Sequence, residues 1–117
     1  MKKEVKTQLE ESGFDVENTL NRFMGNEEQY IRILKKFQND LNYQNLVLAI
    51  AEQRYEDGFL YSHTLKGVTG NLGMNNLLEA NHVVLEKLRK KQTEGLEKDM
   101  EKVTNRYEQA LQAIEKL

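Results

Sequence analysis

Residues 96–117 read LEKDMEKVTNRYEQALQAIEKL, and within them Leu96, Met100, Val103, Tyr107, Ala110, Ile114 and Leu117 recur at steps of four and three. Those steps return to one face of an α-helix, leaving the intervening Glu, Lys, Gln and Asn side chains for water. A helix of this kind gains little from its own hydrogen bonds and needs partners to cover its seam, so an antiparallel bundle is the natural setting. The spacing predicts that this last helix begins near Thr93.

Working back towards the N-terminus, Leu77, Val84, Leu85 and Leu88 mark a second stripe. A helix is expected there from about Asn76 to Lys91, opened by Asn76 with Glu79 in a capping box. A further helix is predicted from Tyr55 to Leu72. Before it, Asn26 can cap a helix whose first turn holds Glu27, Glu28 and Gln29 and whose stripe is Tyr30, Leu34, Phe37 and Leu41. That helix is expected to run on past Asn42 through Leu46, Val47, Ile50 and Ala51, with room for a bend near Asn42 and Asn45. Asp15 can cap a short helix carrying Val16, Leu20 and Phe23, and Gly25 supplies a left-handed stop. The expected fold is therefore all-α, an antiparallel four-helix bundle with a short additional N-terminal helix. Residues 1–12 are either a short helix or a frayed lead-in, with Val5 and Leu9 their sole patterned positions, and residues 13–117 form the bundle.

Composition agrees and narrows the function. The 117 residues contain no proline, no cysteine and only 7 glycines. Such a chain suits long helices, and its stability must come from packing rather than disulfides. Seventeen Lys and Arg against 19 Asp and Glu give a net charge of −2. No dense basic patch is present for a nucleic-acid backbone or an anionic membrane, so neither is an expected partner. The basic start, MKKEVKTQLEES, has no apolar core for a secretory signal, and the run from Leu46 to Ala51 is too short to span a bilayer. A cytoplasmic protein acting as a monomer is the resulting expectation.

Chemistry concentrates between Tyr55 and Leu72. At about 100° per residue, and taking His63 as zero, Lys66 falls near about −60°, Gly67 about +40°, Gly70 about −20° and Met74 about +20°. Tyr61, Leu65, Val68 and Leu72 fall opposite, so the histidine should face water. Two mid-helix glycines together cost roughly 2 kcal/mol relative to alanine. Their presence beside His63 leaves a low surface over which another molecule's backbone can approach, although Gly70 could serve close helix packing and Gly73 could simply end the helix. A neutral imidazole nitrogen can attack phosphorus to give a labile phosphoramidate, and a lysine one turn away offsets the arriving charge.

The segment HTLKGVTGNLGM, residues 63–74, resembles the H-x-L-K-G-x-x-x-x-L-G signature of histidine-containing phosphotransfer domains, with His63, Leu65, Lys66, Gly67, Leu72 and Gly73 in register. The upstream stretch FDVENTLNRFMGNEEQYIRILKKF is similar to the short first helix, glycine turn and second helix of that family, so the resemblance covers roughly residues 13–117. It implies a phosphorelay intermediate: His63 as phosphoacceptor, Lys66 beside the phosphate and Gly67 admitting a receiver domain. It implies a phosphoryl carrier without turnover of its own. Its partners would be response-regulator receiver domains and a hybrid sensor histidine kinase, with Mg²⁺ supplied by the receiver and no cofactor or metal bound in the module. Phe59, Leu60, Gly70 and Met74, with Phe23 or Met24, are expected to surround the histidine as a docking surface. Many members hold the second imidazole nitrogen with a Gln or Glu on the following helix, and register places that position at Leu85. Glu86, Asn81, His82, a backbone carbonyl or water is left to take that role.

Other residues carry less. His82 reads as an ordinary helix residue, and Glu79 with His82 makes one E-x-x-H pair without the second pair and further acids that a bridged metal site needs. A helical interaction module that binds a receiver or another signalling protein without being phosphorylated is the alternative function.

Overall fold

A computed structural model describes residues 1–117. Seven α-helices follow in order: α1 (Lys3–Glu11), α2 (Val16–Arg22), α3 (Glu27–Lys36), α4 (Asn42–Ala51), α5 (Tyr55–Asn71), α6 (Asn75–Arg89) and α7 (Leu96–Glu115). No strand is present; one isolated backbone bridge joins Phe14 to Met74. The chain is all-α. Helices α4, α5, α6 and α7 pack side by side around a common core, with α3 continuing the α4 arm over α7 and the molecule measuring 43 × 22 × 21 Å. None of the helices is long and apolar enough to cross a membrane.

The stripes read from the sequence form the core. Leu96, Met100, Val103, Tyr107, Ala110 and Ile114 are buried on α7, as are Leu77, Val84, Leu85 and Leu88 on α6. Both anticipated caps in the N-terminal half are made: Asp15 accepts from the Asn18 backbone at 3.2 Å and Asn26 from Gln29 at 3.0 Å. Gly25 takes the left-handed conformation, at φ 76°. Residues 3–11 form helix, α1, and Leu9 is sealed in the core.

Three expectations fail for local reasons. The helix beginning at Glu27 does not run past Asn42. It tightens into a 3₁₀ turn at Phe37–Asn39 and breaks at Asp40, whose Oδ1 accepts from the Asn42 backbone N–H at 2.9 Å. An aspartate that bonds the chain two residues on offers the backbone an alternative to the helix, and the break turns Leu41 outward to 63% exposure instead of into the core. The expected capping box of Asn76 and Glu79 is absent: α6 starts at Asn75, after the Gly73 turn, and its N-cap position is Met74, without a side-chain bond. Asn76 lies inside the helix, against Gly13. Finally, α7 opens at Leu96 rather than Thr93, because Gly95 preceding it is left-handed at φ 77°.

Candidate functional site

Helix α5 carries the histidine and is tied down on both flanks. Its buried arc consists of Gly58, Ser62, Leu65 and Thr69, with Leu72 sealed just beyond its end. Tyr61 and Val68 are half-buried. The small residues let neighbouring helices come close: a Cβ on Gly58 would stand 3.1 Å from the Ile50 side chain. Thr69 Oγ1 satisfies itself by donating to the Leu65 carbonyl at 2.8 Å. Towards α6, Ser62 Oγ donates to Asn81 Oδ1 at 2.8 Å, and Asn81 Nδ2 donates to the Ser62 carbonyl at 2.9 Å. Both residues are fully buried, so the pair is a dry polar clasp immediately before His63.

With that arc inside, His63, Lys66 and Gly67 are exposed and Gly70 is half-buried. A Cβ added at Gly67 or at Gly70 would meet nothing within 4 Å, so the helix surface beside the histidine is bare backbone open to a visitor. This separates them from the glycines that fill tight packing elsewhere. Phe59 lies one turn before the histidine, its ring centroid 6.1 Å from the imidazole and inclined at 40°. The Arg89 guanidinium from α6 sits 5.3 Å over the Phe59 ring, while its Nε donates to Glu86 at 3.0 Å. That bond is the main reason the Glu86 carboxyl ionises below its ordinary range. A groove of about 590 Å³ continues the face past Phe59 and Leu60 to Tyr55 and Leu88, and Leu60 is 62% exposed.

The docking surface read from sequence needs one correction. Met74 is fully buried and forms the backbone bridge with Phe14. Its helical angle put it on the histidine's face, but α5 ends at Asn71 and the chain reverses at Gly73, so the 100° step no longer governs residue 74. Phe23 is half-buried, stacked on Tyr30 at 5.6 Å, whereas Met24 stands out at 94% exposure.

No hydrogen bond reaches the His63 ring from Asn81, His82, Glu86 or a backbone carbonyl. Leu85 is fully buried in the core. Asn81 has both ends of its amide engaged by Ser62, and Glu86 is engaged by Arg89. The aromatic neighbour of the imidazole is the Phe59 ring. Sequence reading missed the Ser62–Asn81 clasp. Its only local signal is a small polar residue recurring at helical spacing on the buried side of α5.

The all-helical bundle thus presents His63 exposed on a strip of helix floored by Gly67 and Gly70. The model of the Hpt domain family matches residues 31–116, and the chain belongs to that family. Histidine phosphotransfer in phosphorelay signalling, through contact with receiver domains, follows from that membership. Neither the curated proteins nor the solved structures contain a match to the chain.

Proposed function

We propose that His63 accepts a phosphoryl group from the aspartate of one receiver domain and passes it to the aspartate of another. The observation that carries this reading is the exposed His63 beside Lys66 and the open Gly67, on the side of α5 away from its buried arc, in a chain of the Hpt domain family. In the forward step a neutral ring nitrogen forms the P–N bond as the acyl-phosphate P–O bond breaks and the receiver carboxylate leaves. In the onward step a second carboxylate takes the phosphorus and the imidazole is released. Lys66 offsets the charge that arrives on the ring without fixing it in a two-point geometry, which suits a group that must leave again. Mg²⁺ comes with the receiver. A hybrid sensor histidine kinase is the proposed source of phosphate, the cytoplasm the proposed setting, and a monomer the working form. The chain acts as a carrier and does not turn over substrate by itself.

A second reading is supported by the His63 ring having no hydrogen-bonding partner in the fold: the chain binds receivers through the same face without being phosphorylated. One experiment separates the two. Wild type and His63→Gln are incubated with labelled phospho-receiver, or with a sensor kinase and ATP. Acid-labile, alkali-stable label on wild type alone supports the relay. Receiver binding without label on either protein supports the interaction module.

A further inference from the structure

Arg22, at the end of α2, reaches the far end of the histidine helix. Its Nη2 donates to the Gly70 carbonyl at 3.1 Å, to Asn71 O at 3.3 Å and to Thr19 Oγ1 at 3.2 Å. The last turn of α5 has no basic residue of its own, so this guanidinium supplies the cation that the carbonyl end of a helix favours. The surrounding joint is firm: Asp15 N–H donates to Gly73 O at 2.8 Å and the buried Thr19 side chain sits against Gly73. Arg22 thus has a fixed position although its side chain is exposed.

Only one of its three nitrogens is spent. Nε and Nη1 make no hydrogen bond within the chain, and none of the ion pairs includes Arg22. Asp15, which caps the same helix, is occupied with Asn18. Gly70 lies seven residues from His63, about 10 Å along the helix, and the bare floor at Gly67 and Gly70 lies between the imidazole and the guanidinium. A partner seated over that floor to reach His63 and extending past Gly70 would meet Arg22.

We infer that Arg22 is a second recognition point of the docking face, a pre-positioned guanidinium that takes a carboxylate of the incoming receiver about two helical turns from His63. The inference rests on the phosphorelay reading above and adds to it the chemistry of a specificity contact. A guanidinium held by one nitrogen has lost most of its side-chain freedom before the partner arrives, and its two remaining donors match a carboxylate's two oxygens. Arg22 lies upstream of residues 31–116, which the family model matches, in the short helix before them.

The test uses the full chain and the receiver that exchanges label with it. Binding of fluorescent receiver is titrated against wild type, Arg22→Gln and Arg22→Lys at low and high salt, with amide exchange at Gly73 and Met74 followed in parallel. The expected result is a roughly five-fold weaker complex for Arg22→Gln at low salt, narrowing at high salt, with Arg22→Lys between the two and amide protection kept. Equal affinities for wild type and Arg22→Gln overturn the inference and leave the relay standing. So does a loss that is independent of salt and accompanied by loss of protection, which would make Arg22 a helix cap and nothing more. Failure of wild type to bind any receiver overturns the inference and the relay reading together.

Discussion

Ser62 and Asn81 are joined by two hydrogen bonds, 2.8 and 2.9 Å long, and neither residue is exposed to water. The clasp fixes α5 against α6 one residue before the candidate phosphoacceptor. Because the site is dry, removing one partner strands the other. Asn81→Ala is expected to leave the Ser62 hydroxyl without its acceptor and its carbonyl with the helix bond alone, and to lower stability by about 1–3 kcal/mol. Urea unfolding followed by far-ultraviolet circular dichroism measures this. A loss below about 0.5 kcal/mol would show that the clasp contributes little.

Gly67 should respond oppositely to small and large substitutions. Nothing stands near its Cβ position, and alanine is the better helix former, so Gly67→Ala is expected to raise stability by up to about 1 kcal/mol. A large side chain there fills the floor beside His63. Gly67→Phe is expected to keep the fold while slowing phosphate exchange with a receiver at least about tenfold, a loss of about 1.4 kcal/mol at the barrier. Thermal melts and single-turnover transfer assays separate the two effects. Full transfer by Gly67→Phe would place the receiver elsewhere.

Gly73 offers the contrasting case. Its φ is +69°, and an added Cβ would lie 2.0 Å from Thr19 Oγ1 and 2.9 Å from the Asp15 carbonyl. Gly73→Ala therefore combines an unfavourable backbone conformation with a clash against the buried threonine. A destabilisation of more than about 2 kcal/mol is expected. The double variant Gly73→Ala with Thr19→Ala should recover part of it, and a denaturation cycle over the four proteins measures the coupling.

Tyr30 is expected to make stability fall in alkali. Its ring is fully buried, its hydroxyl finds no partner within the chain, and burial, reinforced by Asp15, pushes its pKa up to about 12 from the ordinary 10.0. Above about pH 10 the unfolded chain releases this proton while the folded chain still holds it, so stability is complete below pH 10 and declines as pH rises towards 12. The decline attributable to Tyr30 is on the order of 2 kcal/mol. Tyr107, also raised by burial, adds to it in the same direction. Tyr30→Phe should be close to neutral at pH 7 and should flatten the slope above pH 10, which unfolding midpoints measured between pH 8 and 11.5 test. An unchanged slope would assign the alkaline loss to other groups.

Residues 96–117 were enough to expect a bundle because periodicity is a property of neighbouring residues: an apolar side chain every three or four positions makes a helix with a face to bury. The same logic exposed His63, since Leu65 and Leu72 draw the other side of α5 inward, and the run from His63 to Gly73 pointed to the family. Local reading failed where a few atoms outweighed the pattern, at Asp40 and at the Gly73 turn that carried Met74 into the core. The tertiary structure alone decided what surrounds the histidine. Ser62 meets Asn81 from 19 residues away, and Arg22 meets the Gly70 carbonyl from 48 residues away. No spacing rule within one helix encodes such meetings. They depend on how separate helices pack, and packing is set by the whole core at once.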